Sequence, residues 1–154
     1  MKVHYMSKSN SWETPQDFFD KLNDEFGFTL DPCASEENHK CDKYYTIEDN
    51  GLKQDWSNDI VFMNPPYGRE IKHWVRKAYK ESLKGAVVVC LIPARTDTRY
   101  WWDYIFPYAK IRFIKGRLKF GKNGVFSPAP FPSAIVVFNI DIEDHPDIMG
   151  SWIS

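Results

Sequence analysis

The spacing of apolar residues changes period several times along the chain. Phe18, Phe19, Leu22 and Phe26 share one helical face. Ahead of them, Thr14-Pro15-Gln16-Asp17 reads as a helix start: a capping hydroxyl, a proline suited to the first helical position and an acid at the positive helix end, with Gly27 as the stop. Ile71, Trp74, Val75, Ala78 and Tyr79 predict a second helix closed by Gly85, and a third is expected over about Thr98 to Phe106. Two continuous apolar runs, Ile60-Val61-Phe62-Met63 and Ala86 to Ile92, predict strands buried on both faces. Shorter strands are expected at Phe28-Thr29-Leu30, Tyr44–Thr46, Lys110 to Ile114, Lys119-Phe120 and Ala134 to Phe138, with Asn123-Gly124 as a hairpin turn signal. Residues 36–58 are polar, and residues 1–12 read as a loose, flexible arm.

Strands alternating with helices predict an α/β protein with a mostly parallel sheet and helices on both faces. In such sheets ligands bind at the carboxyl ends of strands. Asp31, Asn64 and the segment Pro93–Asp97 are therefore expected to converge on one cleft.

Composition adds bounds. The chain has 154 residues, 43% hydrophobic and 16% aromatic, which fits one domain with its own core. Lys and Arg total 20 against 21 Asp and Glu, so bulk charge does not make it a coating for nucleic acid, though a local basic face is compatible. Cys33, Cys41 and Cys90 lack C-x-x-C spacing and read as reduced thiols; with His39 they match no common zinc pattern, so no metal is expected. The polar start and the absence of an apolar run of ~20 residues predict a cytoplasmic protein without a membrane span.

The sharpest chemical signal is Asn64-Pro65-Pro66-Tyr67. Two prolines fix the backbone and remove donors, which leaves the Pro65 carbonyl a held acceptor beside the Asn64 side-chain oxygen. Two acceptors aimed at one amino group suit an exocyclic base amine, and Tyr67 offers a flat face for stacking. Such an amine is a poor nucleophile because its lone pair is delocalised. Holding both its protons localises the pair and stabilises the positive charge that develops on methyl transfer. The competing reading, a proline turn after a buried strand, explains the prolines but not the flanking Asn and Tyr.

The chain resembles the compact phage-type Dam-like DNA N6-adenine methyltransferases from about Trp12 to Phe138. The likeness is carried by Trp12-Glu13-Thr14-Pro15, Leu30 to Ser35, Gly51-Leu52 with Asp55-Trp56, Asn64 to Gly68, Trp74, Leu91 to Thr98 and Gly116 to Phe120. It implies a single-domain Rossmann-like S-adenosylmethionine-dependent methyltransferase fold over residues 1–154, with no separate target-recognition domain. It further implies catalysis by Asn64, Pro65, Pro66 and Tyr67. Cofactor contacts are implied for Thr14, Pro15, Asp31, Pro32, Ala34, Ser35, Asp55 and Trp56. Within that set Asp31 resembles the acid that binds the ammonium group of S-adenosylmethionine, and Asp55 the acceptor for its adenine amine. Gly116 to Phe120 resembles a strand closing the target-base pocket. A ribose-binding acid is also expected, with Glu48 and Asp49 as candidates. One departure is the replacement of the usual Gly-rich turn after the first strand by Asp31-Pro32-Cys33-Ala34-Ser35.

Arg112, Lys115, Arg117, Lys119 and Lys122 form a basic run; Arg95 and Arg99 lie beside the expected cleft. Arg95, Arg99, Arg117, Lys119, Phe120 and Lys122 are the candidate DNA contacts, positioning phosphates without reading sequence. DNA is the expected partner, and whether a homodimer forms is open. Two other readings stay open: methylation of an RNA base or a glutamine side chain, and a DNA-binding module that keeps the fold without catalysis.

Overall fold

The computed structural model describes residues 11–139 and the backbone of Trp152 and Ile153. Most of the expected arm, residues 1–10, lies outside the described residues. Its end is tied down: the Trp12 carbonyl accepts from Asn64, and the next residue, Glu13, exchanges two backbone hydrogen bonds with Gly121, both 2.9 Å.

Helix α1 (Gln16–Phe26) buries Phe18, Phe19, Leu22 and Phe26 and ends at Gly27, whose φ of 70° lets its amide reach the Asn23 carbonyl. Pro15 rather than Thr14 occupies the cap position, and no side chain caps the helix. The Thr14 hydroxyl is used elsewhere. Strand β1 (Ile60–Met63) leads into helix α2 (Ile71–Leu83) and strand β2 (Val87–Pro93), which lies parallel to β1. The third expected helix is a short, widened turn, Trp101–Ile105, followed by one turn, α3 (Phe106–Tyr108). Phe28-Thr29-Leu30 forms no full strand; Leu30 makes one parallel bridge to Val61, and Asp31 one to Tyr44.

Strands β3 (Lys110–Lys115), β4 (Lys119–Lys122), β5 (Val125–Pro128), β6 (Ser133–Phe138) and β7 (Trp152–Ile153) follow. The five-stranded sheet has the order β1-β2-β6-β3-β7. The mostly parallel Rossmann-like sheet between helices is thus corrected to a mixed sheet: β6 is antiparallel to both its neighbours. The reason lies in the connection. After β3 the chain makes no crossover helix; it makes the β4–β5 hairpin and returns, and a strand that returns without a crossover pairs antiparallel. The apolar content of β6 is the same for either direction, so composition did not reveal it. The hairpin turns at Asn123 and Gly124 with φ of 52° and 81°, the doubly positive pair that Asn-Gly favours.

Helix α1 lies over one sheet face, where Phe19 meets Phe62 edge-on at 5.1 Å and Glu25 pairs with the fully buried Arg112 at 3.1 Å. Helix α2 packs Tyr79 against Phe138 of β6. Burying a cation without a partner is costly, so Glu25 is what lets Arg112 sit inside β3. Arg112 therefore leaves the surface basic run.

The loop before β1 is pinned to α2. Buried Glu81 accepts from the Trp56 amide at 2.6 Å and pairs with Lys84 at 2.7 Å. The Trp56 indole N–H donates to the Gly51 carbonyl at 3.0 Å. Gly51 is where this loop meets the turn after Leu30: a β-carbon there would stand 2.4 Å from the Pro32 carbonyl oxygen and 3.1 Å from the Trp74 ring. Replacing Gly51 with Ala is expected to destabilise the fold by ~1–3 kcal/mol, an overpacking cost. Thermal unfolding of the variant would read this as a drop of several degrees; an unchanged midpoint would show that the contact is slack.

Candidate functional site

A cavity of about 870 Å³ opens where the start of the described chain, the turn after Leu30, the carboxyl end of β1 and the β4–β5 hairpin meet. Asp31 and Asn64 both line it, as expected from the ends of their strands. Pro93–Asp97 does not, which corrects the expectation of a three-way convergence. The segment that completes the site is the hairpin, through Gly121, Lys122, Asn123 and Gly124.

Asn64 is the most constrained polar group there. Its amide nitrogen donates to the Trp12 carbonyl and, at 2.9 Å, to the Thr14 hydroxyl oxygen. A carbonyl only accepts, so the orientation of the carboxamide is fixed and its oxygen points the other way. That oxygen accepts from the Tyr67 hydroxyl at 2.6 Å. One of the two acceptors expected to be open is therefore partly engaged, with one lone pair remaining. Among the described residues, none donates to the Pro65 carbonyl. Pro65, Pro66 and Tyr67 are buried, and Pro66 lines the cavity with Asn64.

Tyr67 is not the open face that stacking requires. It is 5% exposed, its hydroxyl lies 3.2 Å from the Leu91 carbonyl oxygen, and burial pushes its phenol well above the usual range. Trp12, Phe120 and Phe131 pack around it, with Trp12 stacked at a centroid distance of 6.4 Å. Phe120 is buried in this cluster and presents no surface to DNA, a correction to its candidate role there.

Asp31 is held by its own turn. Its carboxylate oxygens accept from the Cys33 and Lys40 amides at 3.2 and 2.9 Å. Burial outweighs these bonds and raises its pKa to about 6, despite the amides, Lys40 and His39. Among the described residues no ion pair reaches it. Ala34 and Ser35 line the cavity beside it; Thr14 is buried at its edge, Pro15 caps α1, and Pro32 is buried under Gly51.

Asp55 and Trp56 lie elsewhere. Asp55 is on the surface, its carboxyl held near 2 by the Ser57 amide, and Trp56 is fully buried against Trp74. Neither lines the cavity; Thr46, Ile47 and Glu48 do. Asp49 spends a carboxylate oxygen on the Thr46 amide and hydroxyl. Sequence reading also missed Glu36, Glu37, Lys40 and Phe131. Phe131 stands between Pro130 and Pro132, a flanking that fixes backbone direction and marks a placed ring.

Charge divides the site. The cavity lining carries five carboxylates (Glu13, Asp31, Glu36, Glu37, Glu48) against Lys40 and Lys122. Residues 104–140 carry six cations, Lys110, Arg112, Lys115, Arg117, Lys119 and Lys122, and no carboxylate. Arg117 and Lys119 are exposed, and Lys122 sits over the Trp12 ring at 4.2 Å on the rim. Arg95 reaches toward the Phe131 ring at 5.9 Å, while Arg99 points to solvent with Asp103. All three thiols are free; burial raises those of Cys33 and Cys90 and pushes Cys41 up to about 12, which suits inert side chains. No group of residues that could hold a metal occurs among the described residues, and none of the described helices is long and apolar enough to cross a membrane.

The chain is similar to known proteins. The family model described as DNA N-6-adenine-methyltransferase (Dam) matches residues 4–144. The DNA N-6-adenine-methyltransferase of Escherichia phage T1 is 35% identical over 109 residues, which are 70% of this chain and 45% of that protein. The protein of the same name from Haemophilus phage HP1 is 32% identical over 129 residues, 77% of this chain and 74% of that one. The match thus spans less than half the length of the phage T1 protein.

The Tyr67 hydroxyl supplies a bond to the Asn64 oxygen from a buried position. Replacing Tyr67 with Phe keeps the ring and is expected to cost about 1–2 kcal/mol of stability, read by urea unfolding. A loss below the error of the measurement would mean that the hydroxyl bond is not formed in solution.

Proposed function

Because the chain belongs to the DNA N-6-adenine-methyltransferase (Dam) family, matched over residues 4–144, we propose that it transfers a methyl group from S-adenosylmethionine to the exocyclic amine of adenine in DNA. The observation that carries this reading is the fixed carboxamide of Asn64. Its nitrogen is spent on Trp12 and Thr14, so its oxygen, which accepts from the Tyr67 hydroxyl and keeps one lone pair, is the atom of this cavity-lining residue left to take an amino proton, next in sequence to the Pro65 carbonyl. A pair of acceptors holds both protons of an amino group, localises its lone pair and stabilises the charge it gains.

The cavity supports the cofactor on its own chemistry. Five carboxylates against two lysines favour a cation and oppose a phosphate-bearing ligand. Asp31 is a buried carboxylate held by two backbone amides, with no ion pair among the described residues, and an ammonium group would supply one. Ala34 and Ser35 line the cavity beside that position with Thr14, and of the two acids considered for the ribose hydroxyls, Glu48 lines the cavity and Asp49 does not. S-adenosylmethionine, when bound, supplies an electrophilic methyl group on a positively charged sulfur. Arg117 and Lys119, with Lys122 on the cavity rim and Arg95 and Arg99 farther out, offer phosphate contacts, so the DNA backbone is drawn to a different surface from the acids that favour the cofactor.

Replacing Asn64 with Ala is expected to reduce methyl transfer by at least about a hundredfold, the scale of removing one preorganised transition-state contact, while cofactor binding persists. Transfer of labelled methyl groups to DNA, RNA and protein checks both substrate and variant; label on RNA or protein alone would overturn the reading. Methylation-sensitive sequencing of DNA from cells expressing the chain would identify the target sequence.

Cofactor affinity is expected to fall as pH drops through about 6. Burial raises the folded-state pKa of Asp31, so the anion that pairs with an ammonium is lost there and binding releases a proton below that pH. Replacing Asp31 with Asn should weaken binding by roughly 1.5–3 kcal/mol and flatten this pH dependence. Calorimetry between pH 5 and 8 measures both. A variant with unaltered affinity would remove Asp31 from the cofactor site.

A further inference from the structure

The residues assigned to the target base are engaged with one another in this structure. Trp12, Tyr67, Phe120 and Phe131 form a four-ring cluster whose six centroid separations all lie between 5.3 and 6.4 Å. Each separation is that of rings in contact, so no slot for a fifth ring exists among them. A base cannot stack on Tyr67 until one ring leaves.

The four are not equally held. Tyr67 follows two prolines and donates from its hydroxyl, Phe120 is in β4, and Phe131 stands between prolines; all three are buried. Trp12 is only partly buried and belongs to no helix or strand. The backbone pair that anchors its segment is made by the next residue, Glu13, so the indole can swing away without opening that pair. Trp12 also resembles the group whose place it takes. Its indole is a bicyclic plate like a purine, it stacks on Tyr67, and the Lys122 ammonium lies over its face.

We propose that Trp12 is a resident stand-in for the flipped adenine: the target-base site is the space the indole fills, walled by Tyr67, Phe120 and Phe131, and the base enters by exchanging with it. This rests on the adenine-methylation reading and adds its binding step. The exchange has a physical logic. Flipping a base forfeits its stacking in the duplex, and a closed aromatic cluster returns that stacking only if a plate of similar size vacates. When the indole is in place the walls stay covered, while the Asn64 carboxamide is oriented by the Trp12 backbone carbonyl and the Thr14 hydroxyl whether the indole is in or out. Apparent affinity for the base is then reduced by the fraction of molecules with the site open.

Two measurements on the full chain test this. In the first, the protein is labelled with 5-fluorotryptophan and the Trp12 resonance is assigned by its loss in the Trp12→Phe variant. The labelled protein is saturated with a random-sequence single-stranded oligonucleotide pool, and separately with a matched pool lacking adenine; anisotropy of a dye on the strands confirms saturation. The Trp12 line should move to a solvent-exposed position with the first pool and stay with the second. A line unmoved by the adenine pool, or moved equally by both, would overturn the proposal. In the second, Trp12→Gly should lower KM for the adenine pool by about three- to tenfold without lowering kcat, because the competitor is gone. A raised KM or a lower kcat would make Trp12 a structural support instead. Trp12→Leu, which fills space without a plate, replaces the glycine variant if that fails to fold. Should the wild-type chain transfer no label to DNA, the activity reading fails by itself, and the Trp12 resonance still reports whether the pocket takes a base.

Discussion

The arrangement of this molecule depends on the orientation of one carboxamide. Asn64 stands where a buried strand ends, and the two prolines after it stop the chain from continuing the ladder. Its nitrogen binds a backbone carbonyl and a hydroxyl that lie 52 and 50 residues earlier in the chain. Those bonds bring the start of the described chain across the end of β1. The same early segment is paired on its other side with Gly121 of the hairpin. One side chain thus ties the start of the described chain to the end of β1, while the backbone pair and the ring contacts tie the same segment to the hairpin.

The second organising constraint is the sorting of charge. A chain with a net charge of −1 has little overall attraction for DNA. The six cations without a carboxylate between residues 104 and 140 concentrate what attraction there is on one stretch, of which only Arg112 is turned inward to Glu25. Four of the five cavity acids, Asp31, Glu36, Glu37 and Glu48, come from the turn after Leu30 and the loop that follows it. Within a Debye length of about 8 Å at physiological salt, each set of charges acts on what lies against it. A cationic small molecule and a polyanion can therefore approach the same cleft from different sides without competing for the same groups.

The helices and central strands were legible because their apolar periods are unambiguous, as in Phe18, Phe19, Leu22 and Phe26 or Ile60 to Met63. The Asn123-Gly124 turn was legible because few residues accept two positive φ values in succession. Strand direction was not legible, since β6 buries all six of its residues and would read the same if reversed. Thr14 illustrates a subtler limit: a hydroxyl before a helix is a good cap in isolation, and here a partner 50 residues away claims it. Asp31 and Asn64 were found through strand-end logic; Asp55 and Trp56 were assigned by resemblance, and the structure places them against α2 and away from the cavity. Phe131 and the acidic pair Glu36-Glu37 escaped because nothing in local spacing ties them to a cleft that only the folded chain creates.

The reversal of β6 and the chemistry of the cleft are connected. Had a helix joined β3 to β6, the chain would have left the carboxyl end of β1 without a rim. The hairpin that replaces that crossover delivers Phe120 into the aromatic cluster, Gly121 to Glu13, and Lys122 onto the Trp12 ring. Gly121 has to be small at this junction, because a β-carbon would come within 2.7 Å of the Phe126 ring and 3.0 Å of the Glu13 carboxylate. The departure from a parallel sheet is therefore what builds the far wall of the site. In a chain this short, the residues that would otherwise form a crossover are spent on facing the acceptor at Asn64 with aromatic rings and a cation.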